Sequence, residues 1–289
     1  MKRILTLTLL FFLLAACSPT EQGSAPSSPQ IYIENKGSDT IVNLALAWAE
    51  QYQSEHPEVS LSVTGGGSGT GIAALLNGTV DIANASRQIK QKEIDLASEK
   101  GIKPVEHVIA RDAIAVIVNP NNPVSELTLQ QISDIYSGKI TNWREVGGED
   151  RPIVRLSRET NSGTHVYFLE TVLRLGDKES ETLFSMDTLL LPSSEGIIAE
   201  VRQNPNAIGY DGLGYVPDDL KVIAIAPEVG DAYILPSIET VNNGAYPIAR
   251  DLYMYTNGEP TGAVAEYLNW ILSPQAQEIV KELGFVPIK

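Results

Sequence analysis

The sequence predicts an α/β protein whose short strands alternate with amphipathic helices. Two observations support this class. Short apolar segments typical of strands occur along the chain, and helical patterns recur between them. In residues 41–52 the apolar side chains, Trp48 among them, share one face at helical spacing. The 289 residues are also enough for two domains. Strands that alternate with helices in this way indicate largely parallel sheets. The strand-like segments are residues 31–33, 59–63, 113–118, 153–156, 221–226 and 251–255.

The start of the chain has the features of a secretory leader. Two basic residues precede an apolar run at 4–14, which is shorter than a membrane-spanning helix requires. Residues 14–17 (LAAC) are typical of a lipobox, in which the cysteine sulfur accepts a diacylglycerol. We therefore expect a lipoprotein signal peptide over 1–17 with Cys17 as its lipidation site. The alternative is an ordinary signal peptide that contains a cysteine.

Composition restricts the partners of the folded part. Residues 18–30 are rich in Ser, Pro, Gly and Gln, which predicts a flexible tether to the membrane. The formal net charge of -15 disfavours nucleic acid and anionic membrane surfaces. It does not exclude a buried anion site, because salt screens surface charge within about 10 Å. Cys17 is the only cysteine, so an intrachain disulfide or a cysteine metal site is excluded.

Three loops share one design, in which a strand runs into Gly, Ser or Thr residues that open a helix. They are residues 36–40, 65–71 and 157–164. Each would place backbone N–H groups and hydroxyls at the positive end of a helix, where anions bind. Five glycines within 65–71 indicate a backbone that must approach another group closely. The alternative for each loop is simple helix capping, which favours the same residue types.

Two arginines are candidates for the positive charge of such a site. Arg158 could bind two oxygens of an oxyanion at once, or it could be a surface residue paired with Glu159. Ser86 and Arg87 end a further candidate segment, 81–87, which could equally be a strand end with a solvated arginine.

Other motifs are excluded by counting. The glycine loop does not fit the nucleotide P-loop, the dinucleotide fingerprint or the serine-hydrolase elbow. The three histidines form no metal-binding pair, so we expect no metal and no cofactor. His165 is expected to be a partly exposed helical residue. Trp143, Tyr210 and Tyr215 are expected to be packing residues, the two tyrosines near a turn at 208–210.

Taken in order, these segments resemble the periplasmic phosphate-binding protein family, the substrate receptors of phosphate ABC importers. The resemblance covers about residues 31–289. It implies a type II periplasmic-binding fold, with two α/β lobes joined by two crossing strands and a ligand cleft between them. One lobe would combine 31–115 with 247–289, and the other would span 116–246. The motifs that carry the resemblance are GSDT at 37–40, GGGSGTGI at 65–72, DIANASR at 81–87, LTLQQISDIYSGKITNW at 127–143, SRETNSGTHVYF at 157–168 and AIGY at 207–210.

The resemblance also implies which residues hold phosphate. Some members of the family carry an aspartate after the serine of the 81–87 motif, where it accepts the proton of monohydrogen phosphate and repels sulfate. This chain has Arg87 there, so either Asp39 takes over as the acceptor or other groups exclude sulfate. The expected phosphate-binding residues are Ser38, Asp39, Thr40, Ser68, Ser86, Arg87, Arg158, Ser162, Gly163 and Thr164.

The function implied is that of a binding protein rather than an enzyme. It would capture inorganic phosphate and deliver it to the permease subunits of an ABC importer. We expect a monomer at the periplasm or cell surface that contacts the membrane through its lipid anchor only. The alternatives are a receptor for sulfate, molybdate or tungstate, a sensor or adhesion protein, or a phosphoester hydrolase using Ser68 or Ser162. The lack of a paired histidine base, of carboxylate clusters and of metal-ligand spacing argues against a hydrolase.

Overall fold

The structure is a computed structural model that describes residues 30–288. The expected signal peptide, Cys17 and residues 18–29 of the tether lie outside the described residues. The chain begins with three strands, each followed by a helix. These elements are β1 (Ile31–Gly37), α1 (Asp39–Glu55), β2 (Val59–Thr64), α2 (Ser68–Leu76), β3 (Ile82–Ala85) and α3 (Gln91–Glu99).

A long strand then leads into the middle of the chain, and the last strand returns from it. The middle elements are β4 (Pro104–Val118), β5 (Glu126–Thr128), α4 (Leu129–Tyr136), β6 (Val154–Arg158), α5 (Gly163–Phe168), β7 (Leu189–Leu191), α6 (Ser194–Gln203), β8 (Ala207–Gly212), β9 (Lys221–Val222), β10 (Ala224–Ala226) and α7 (Ile238–Asn242). The chain ends with β11 (Ala249–Asn257), α8 (Gly262–Ile271) and α9 (Pro274–Glu282).

Nine of the strands form one mixed sheet in the order β2-β1-β3-β11-β4-β8-β6-β7, with β9 also paired to β4. β1 is parallel to β2 and β3, and β6 is parallel to β7 and β8. The central pairs, β11 with β3 and β4, and β4 with β8, are antiparallel. The expectation of largely parallel sheets therefore holds at the two flanks and is wrong at the centre, because the chain returns through β11.

β4 and β11 position the site because they link the two halves of the sheet. Residues 104–113 of β4 pair with β11, whereas residues 114–118 pair with β8. Each half has its own apolar core: Trp48 is buried in one and Trp143 in the other, as packing residues. The expected lobe boundaries stay a prediction.

Two strand predictions needed correction. Residues 221–226 form two short strands rather than one: β9 pairs with β4 and β10 with β5. The expected turn at 208–210 is part of β8, where Tyr210 is fully buried. A glycine at 209 suggested a turn, but here it admits the side chains of Ile197 and Val201 from α6 against the strand.

Candidate functional site

Four hydroxyls from the first half of the sheet meet at the carboxyl ends of β1, β2 and β3. Ser38 caps α1, Ser68 begins α2 and Ser86 follows β3, and all three are buried. The Ser38 Oγ donates to the Ser86 Oγ at 2.9 Å, and the Ser68 Oγ accepts from the Ser86 N–H at 3.0 Å. Thr40, in the first turn of α1, is 1% exposed. We call Ser38, Thr40, Ser68 and Ser86 the first wall.

The opposite side is formed by the loop between β6 and α5. Ser162 caps α5, and its Oγ accepts from the N–H of Thr164 at 3.2 Å. The hydroxyls of Thr164 and Thr40 lie 2.7 Å apart, so the two sides touch directly. A methyl group on Gly163 would overlap the Ser68 Oγ and lie 2.6 Å from the Ser86 Oγ. We call Arg158, Ser162, Gly163 and Thr164 the second wall.

The guanidinium of Arg158 is buried at the end of β6, with 1% of the residue exposed. Its Nη1 donates to the Ser194 Oγ at 2.8 Å and lies 3.6 Å from an oxygen of Asp211. Its Nη2 donates to the Asp39 Oδ2 at 2.8 Å and to the Pro192 carbonyl at 3.0 Å. Its Nε is buried without a hydrogen-bond partner within residues 30–288. The surface pairing with Glu159 considered from the sequence is therefore wrong.

Asp39 links the loops around Arg158. Its Oδ2 accepts from Arg158, and its Oδ1 accepts from the N–H of Gly66 at 2.9 Å. Its backbone carbonyl accepts from the Tyr215 hydroxyl at 2.6 Å, so Tyr215 has a polar contact beyond packing. Both carboxylate oxygens therefore already have donors in this arrangement.

Arg87 takes a different direction from Arg158. It is also buried, with 8% exposed, but its guanidinium forms two hydrogen bonds with Glu93 of α3, at 2.7 and 2.9 Å. Its Nη1 also donates to the Gln88 carbonyl at 2.8 Å. The solvated arginine considered from the sequence is wrong. The described hydrogen bonds do not join Arg87 to the serine and threonine hydroxyls.

The glycine loop makes its close approach to protein backbone. A Cβ on Gly67 would lie 2.9 Å from the Asn161 carbonyl oxygen, and one on Gly71 would lie 2.5 Å from that of Lys36. The Gly69 N–H donates to the Asn161 carbonyl at 3.0 Å, and the Asn161 side chain donates back to the Gly66 carbonyl at 3.0 Å. These two hydrogen bonds hold the glycine loop against the β6–α5 loop across the cleft.

Sequence reasoning missed a second buried ion pair, between Arg250 of β11 and Asp112 of β4. Their closest atoms, Arg250 Nη2 and Asp112 Oδ2, lie 3.0 Å apart, and Asp112 is fully buried. Burial raises the pKa of Asp112 to about 6, against the opposing charge of Arg250. The sequence did contain a signal for this pair, because Asp112 and Arg250 are charged residues that each lie beside a strongly apolar run.

Asp211 is the corresponding carboxylate behind Arg158. It is fully buried on β8, and its Oδ1 accepts from the Ser194 Oγ at 3.0 Å. Burial raises its pKa, and the positive charge of Arg158 opposes the rise. Each buried guanidinium of the site therefore has a buried carboxylate partner.

His165 was expected to be partly exposed, and the structure contradicts this. It is 7% exposed, stacks on Phe184 at 4.6 Å between ring centroids, and its Nδ1 lies 3.0 Å from the Ser157 Oγ. Burial lowers its pKa to about 4. Its described partner is Ser157 rather than Ser68 or Ser162, the two nucleophiles of the hydrolase alternative.

Two searches of residues 30–288 were negative. They contain no cluster of three or more His, Cys, Asp or Glu side chains arranged to hold a metal ion. Within the same range, the helices are too short or too polar to cross a membrane.

Comparisons with known proteins support a common family. A model described as a PBP superfamily domain matches residues 20–275. The phosphate-binding protein PstS of Pseudomonas aeruginosa is 33% identical over 273 residues, covering 89% of this chain and 83% of that protein. The PstS of Bacillus subtilis is 31% identical over 299 residues, covering 99% of this chain and 94% of that protein.

Solved structures agree with the sequence relatives. A Clostridium perfringens protein crystallised with bound phosphate is 34% identical, with a TM-score of 0.79, and the match covers 89% of this chain and 100% of that one. An ABC-type phosphate transport receptor from Vibrio cholerae is 29% identical, with a TM-score of 0.70 and coverage of 88% and 99%. The fold is the type II periplasmic-binding fold, as the resemblance to the family implied.

Proposed function

The chain belongs to the PstS-like family of phosphate-binding proteins, and we propose that it binds inorganic phosphate between its two lobes for delivery to an ABC importer. The observation that carries this proposal is the buried contact between the Thr40 and Thr164 hydroxyls of the two walls, with the guanidinium of Arg158 also buried in the second wall. A dehydrated oxyanion needs many donors in place of water, and hydroxyls, backbone N–H groups and a guanidinium meet that need without a metal.

The contact between the walls supports a closing mechanism. The hydroxyls of Thr40 and Thr164 now bond to each other across the cleft, as do Ser38 and Ser86 within the first wall. An ion that enters takes over these hydrogen bonds and lies between the walls. Because the donors are divided between the two halves, the closed state binds the ion most tightly, and binding favours closure.

The decisive experiment replaces Arg158 with alanine. We expect phosphate affinity to fall roughly tenfold or more, because the ion loses a charge-assisted hydrogen bond and a nearby positive charge. Calorimetry at fixed pH measures it, with Arg202→Ala as the control, since Arg202 pairs with Asp219 on the surface. Unchanged affinity in a folded Arg158→Ala protein would remove this residue from the site.

Selectivity within the oxyanion class is part of the proposal. Asp39 would accept the proton of monohydrogen phosphate by exchanging one of its present donors, Arg158 or Gly66, for the ligand. Sulfate has no such proton at neutral pH, so it should compete poorly. Equal affinity for sulfate and phosphate would refute selectivity, and tighter binding of sulfate, molybdate or tungstate would identify the alternative ligand.

We also propose that Cys17 carries the lipid anchor and that residues 18–30 tether the binding domain to the membrane. The support is the lipobox sequence at 14–17. Cys17→Ala should release the protein from the membrane fraction without changing phosphate affinity. Membrane retention of this variant would exclude the anchor while leaving the binding proposal intact.

A further inference from the structure

We propose that Arg250 is a second guanidinium ligand of the bound oxyanion and that Asp112 is the residue that positions it. This inference rests on the proposed function and extends the site to β11, one of the two strands that link the halves. Neither residue belongs to the loops that the sequence motifs identified.

Arg250 reaches three of the segments that form the site. Its Nη2 donates to the hydroxyl of Thr164 at 2.9 Å and to that of Thr40 at 3.4 Å. Its Nη1 donates to the backbone carbonyl of Ser86 at 2.8 Å. One guanidinium therefore lies against the two threonines that face each other across the cleft and against the end of β3.

The Nη2 group has more acceptors than hydrogens. It carries two N–H hydrogens, yet the Asp112 Oδ2 and the two threonine hydroxyl oxygens are all within 3.4 Å. One hydrogen is thus shared by the threonines. An anion oxygen that displaces the Thr40–Thr164 contact gives this hydrogen a charged acceptor, which makes a stronger hydrogen bond than a hydroxyl does.

The charge around Arg158 leaves a requirement that Arg250 can meet. Arg158 lies 2.8 Å from Asp39 and 3.6 Å from Asp211, so two carboxylates already face its single positive charge. A doubly charged oxyanion placed there without further positive charge would be repelled. Arg250 adds a second guanidinium on the side of the threonines, and one carboxylate, Asp112, faces it.

Asp112 holds Arg250 in the orientation that this role requires. The two residues are direct partners in the β4–β11 ladder, and the Asp112 Oδ2 accepts from the Nε at 3.3 Å and the Nη2 at 3.0 Å. The ring of Tyr167 packs against the guanidinium, 5.4 Å from its Cζ to the ring centroid. Contacts to a carboxylate and a ring fix the plane of the guanidinium before a ligand arrives, which reduces the entropy cost of binding.

The same two strands provide a matched control. At the adjacent register position Arg111 pairs with Asp251 at 3.4 Å, with both side chains more than 40% exposed. Arg111→Gln therefore removes an arginine from the same ladder without touching the buried threonines.

The test is calorimetry with inorganic phosphate on Arg250→Gln, Arg250→Lys and Arg111→Gln, each checked for folding by circular dichroism. We expect Arg250→Gln to weaken binding about thirtyfold or more and Arg250→Lys by less, since lysine keeps the charge but loses the fork. Arg111→Gln should stay within about twofold of the wild type, because exposed pairs contribute little. Wild-type affinity in folded Arg250→Gln would overturn the inference.

The effect of Asp112→Asn on phosphate affinity has one sign if Asp112 positions Arg250 and the opposite sign if it acts only through its charge. Removing a negative charge near an anion should by itself strengthen binding. If Asp112 positions Arg250, binding should instead weaken by about threefold to tenfold. Tighter phosphate binding by Asp112→Asn would refute the positioning role.

Arginine side-chain NMR keeps the inference testable if Arg250→Gln fails to fold. Phosphate should shift the Nε–H resonance of Arg250, identified by its loss in Arg250→Lys, and leave that of Arg111 in place. An unshifted Arg250 resonance in phosphate-saturated protein would overturn the inference. Failure of the wild type to bind phosphate would instead overturn the proposed function, so the two failures are distinguishable.

Discussion

The two walls of the cleft differ in the hydrogen-bond donors and the charge that they would present to the proposed oxyanion. The first wall supplies four neutral hydroxyls from three loops, whereas the second concentrates a buried guanidinium, a glycine and two hydroxyls in one loop of eight residues. Neutral donors replace the water around an ion one hydrogen bond at a time, but a guanidinium also balances charge. Substitutions in the first wall should therefore weaken phosphate binding moderately, whereas substitutions in the second wall should weaken it strongly.

The largest effect is expected at Gly163, where the two walls come closest. Gly163→Ala should weaken phosphate binding about a hundredfold, because a methyl group there meets the Ser68 and Ser86 hydroxyls and blocks closure. Calorimetry measures the affinity, and small-angle X-ray scattering with and without phosphate measures closure.

Gly196→Ala serves as its control. That glycine lies in the first turn of α6, and its nearest neighbour to an added Cβ is at 3.5 Å. Normal closure in Gly163→Ala would show that the walls tolerate more separation than their contacts indicate.

His165, the residue after Thr164 of the second wall, should contribute to how the protein responds to acid. The pKa of His165 is about 4 in the folded protein, below its ordinary value of 6.5, because the ring is buried. The folded state thus holds fewer protons between these values, so its stability is present above pH 6.5 and is lost as pH falls toward 4. The shift corresponds to about 3 kcal/mol in the free energy of unfolding.

Urea unfolding of His165→Gln and the wild type at pH 4.5 and pH 7 measures this loss. Between pH 7 and pH 4.5, the free energy of unfolding of the variant should fall by about 2 kcal/mol less than that of the wild type. Asp112 has the opposite sign, because its raised pKa stabilises the folded state as pH falls from about 6, but it is present in both proteins and cancels. Equal acid losses would exclude His165 as the cause.

A graded loss is expected from the first wall. Ser68→Ala removes a hydroxyl that accepts from the Ser86 N–H and faces the cleft. Phosphate affinity should fall by about tenfold, the effect of one hydrogen bond to a charged ligand. Ser98→Ala, on the exposed face of α3, provides the calorimetric baseline. A loss of about a hundredfold, as large as that expected of Gly163→Ala, would contradict the distinction between the walls.

The smallest effect is expected from Arg87, which the resemblance to the family placed in the site. Because its guanidinium is paired with Glu93, Arg87→Gln should change phosphate affinity by less than about threefold. The double variant Arg87→Gln/Glu93→Gln avoids an unpaired Glu93. A tenfold loss in both proteins would return Arg87 to the list of ligands.

The sequence was most informative where signals are local. Helix periodicity around Trp48 and the Gly/Ser/Thr loops that open α1, α2 and α5 were all recognisable, since each depends on residues within a few positions. The return of the chain through β11 leaves no local signal, so the antiparallel centre of the sheet was missed. The split between β9 and β10 was also missed, because it depends on which partner strand each segment meets.

The same limit applies to the charged residues of the site. Arg158 and Arg87 look alike in the sequence, and both are buried. Glu93 lies only six residues from Arg87, whereas the partners of Arg158 come from distant segments. Asp112 and Arg250 are 138 positions apart, and only the pairing of β4 with β11 brings them together. Their pairing could not be predicted from spacing.

The position of β11 between β3 and β4 also has a consequence for how the chain folds. During synthesis, β1, β2 and β3 are made first and can pair early. However, β3 and β4 each keep an open edge until residues 249–257 have been made. Open strand edges bind other chains, and contacts between distant segments form slowly. The first half should therefore be the last part of the molecule to become resistant to proteases during refolding, although it is synthesised first.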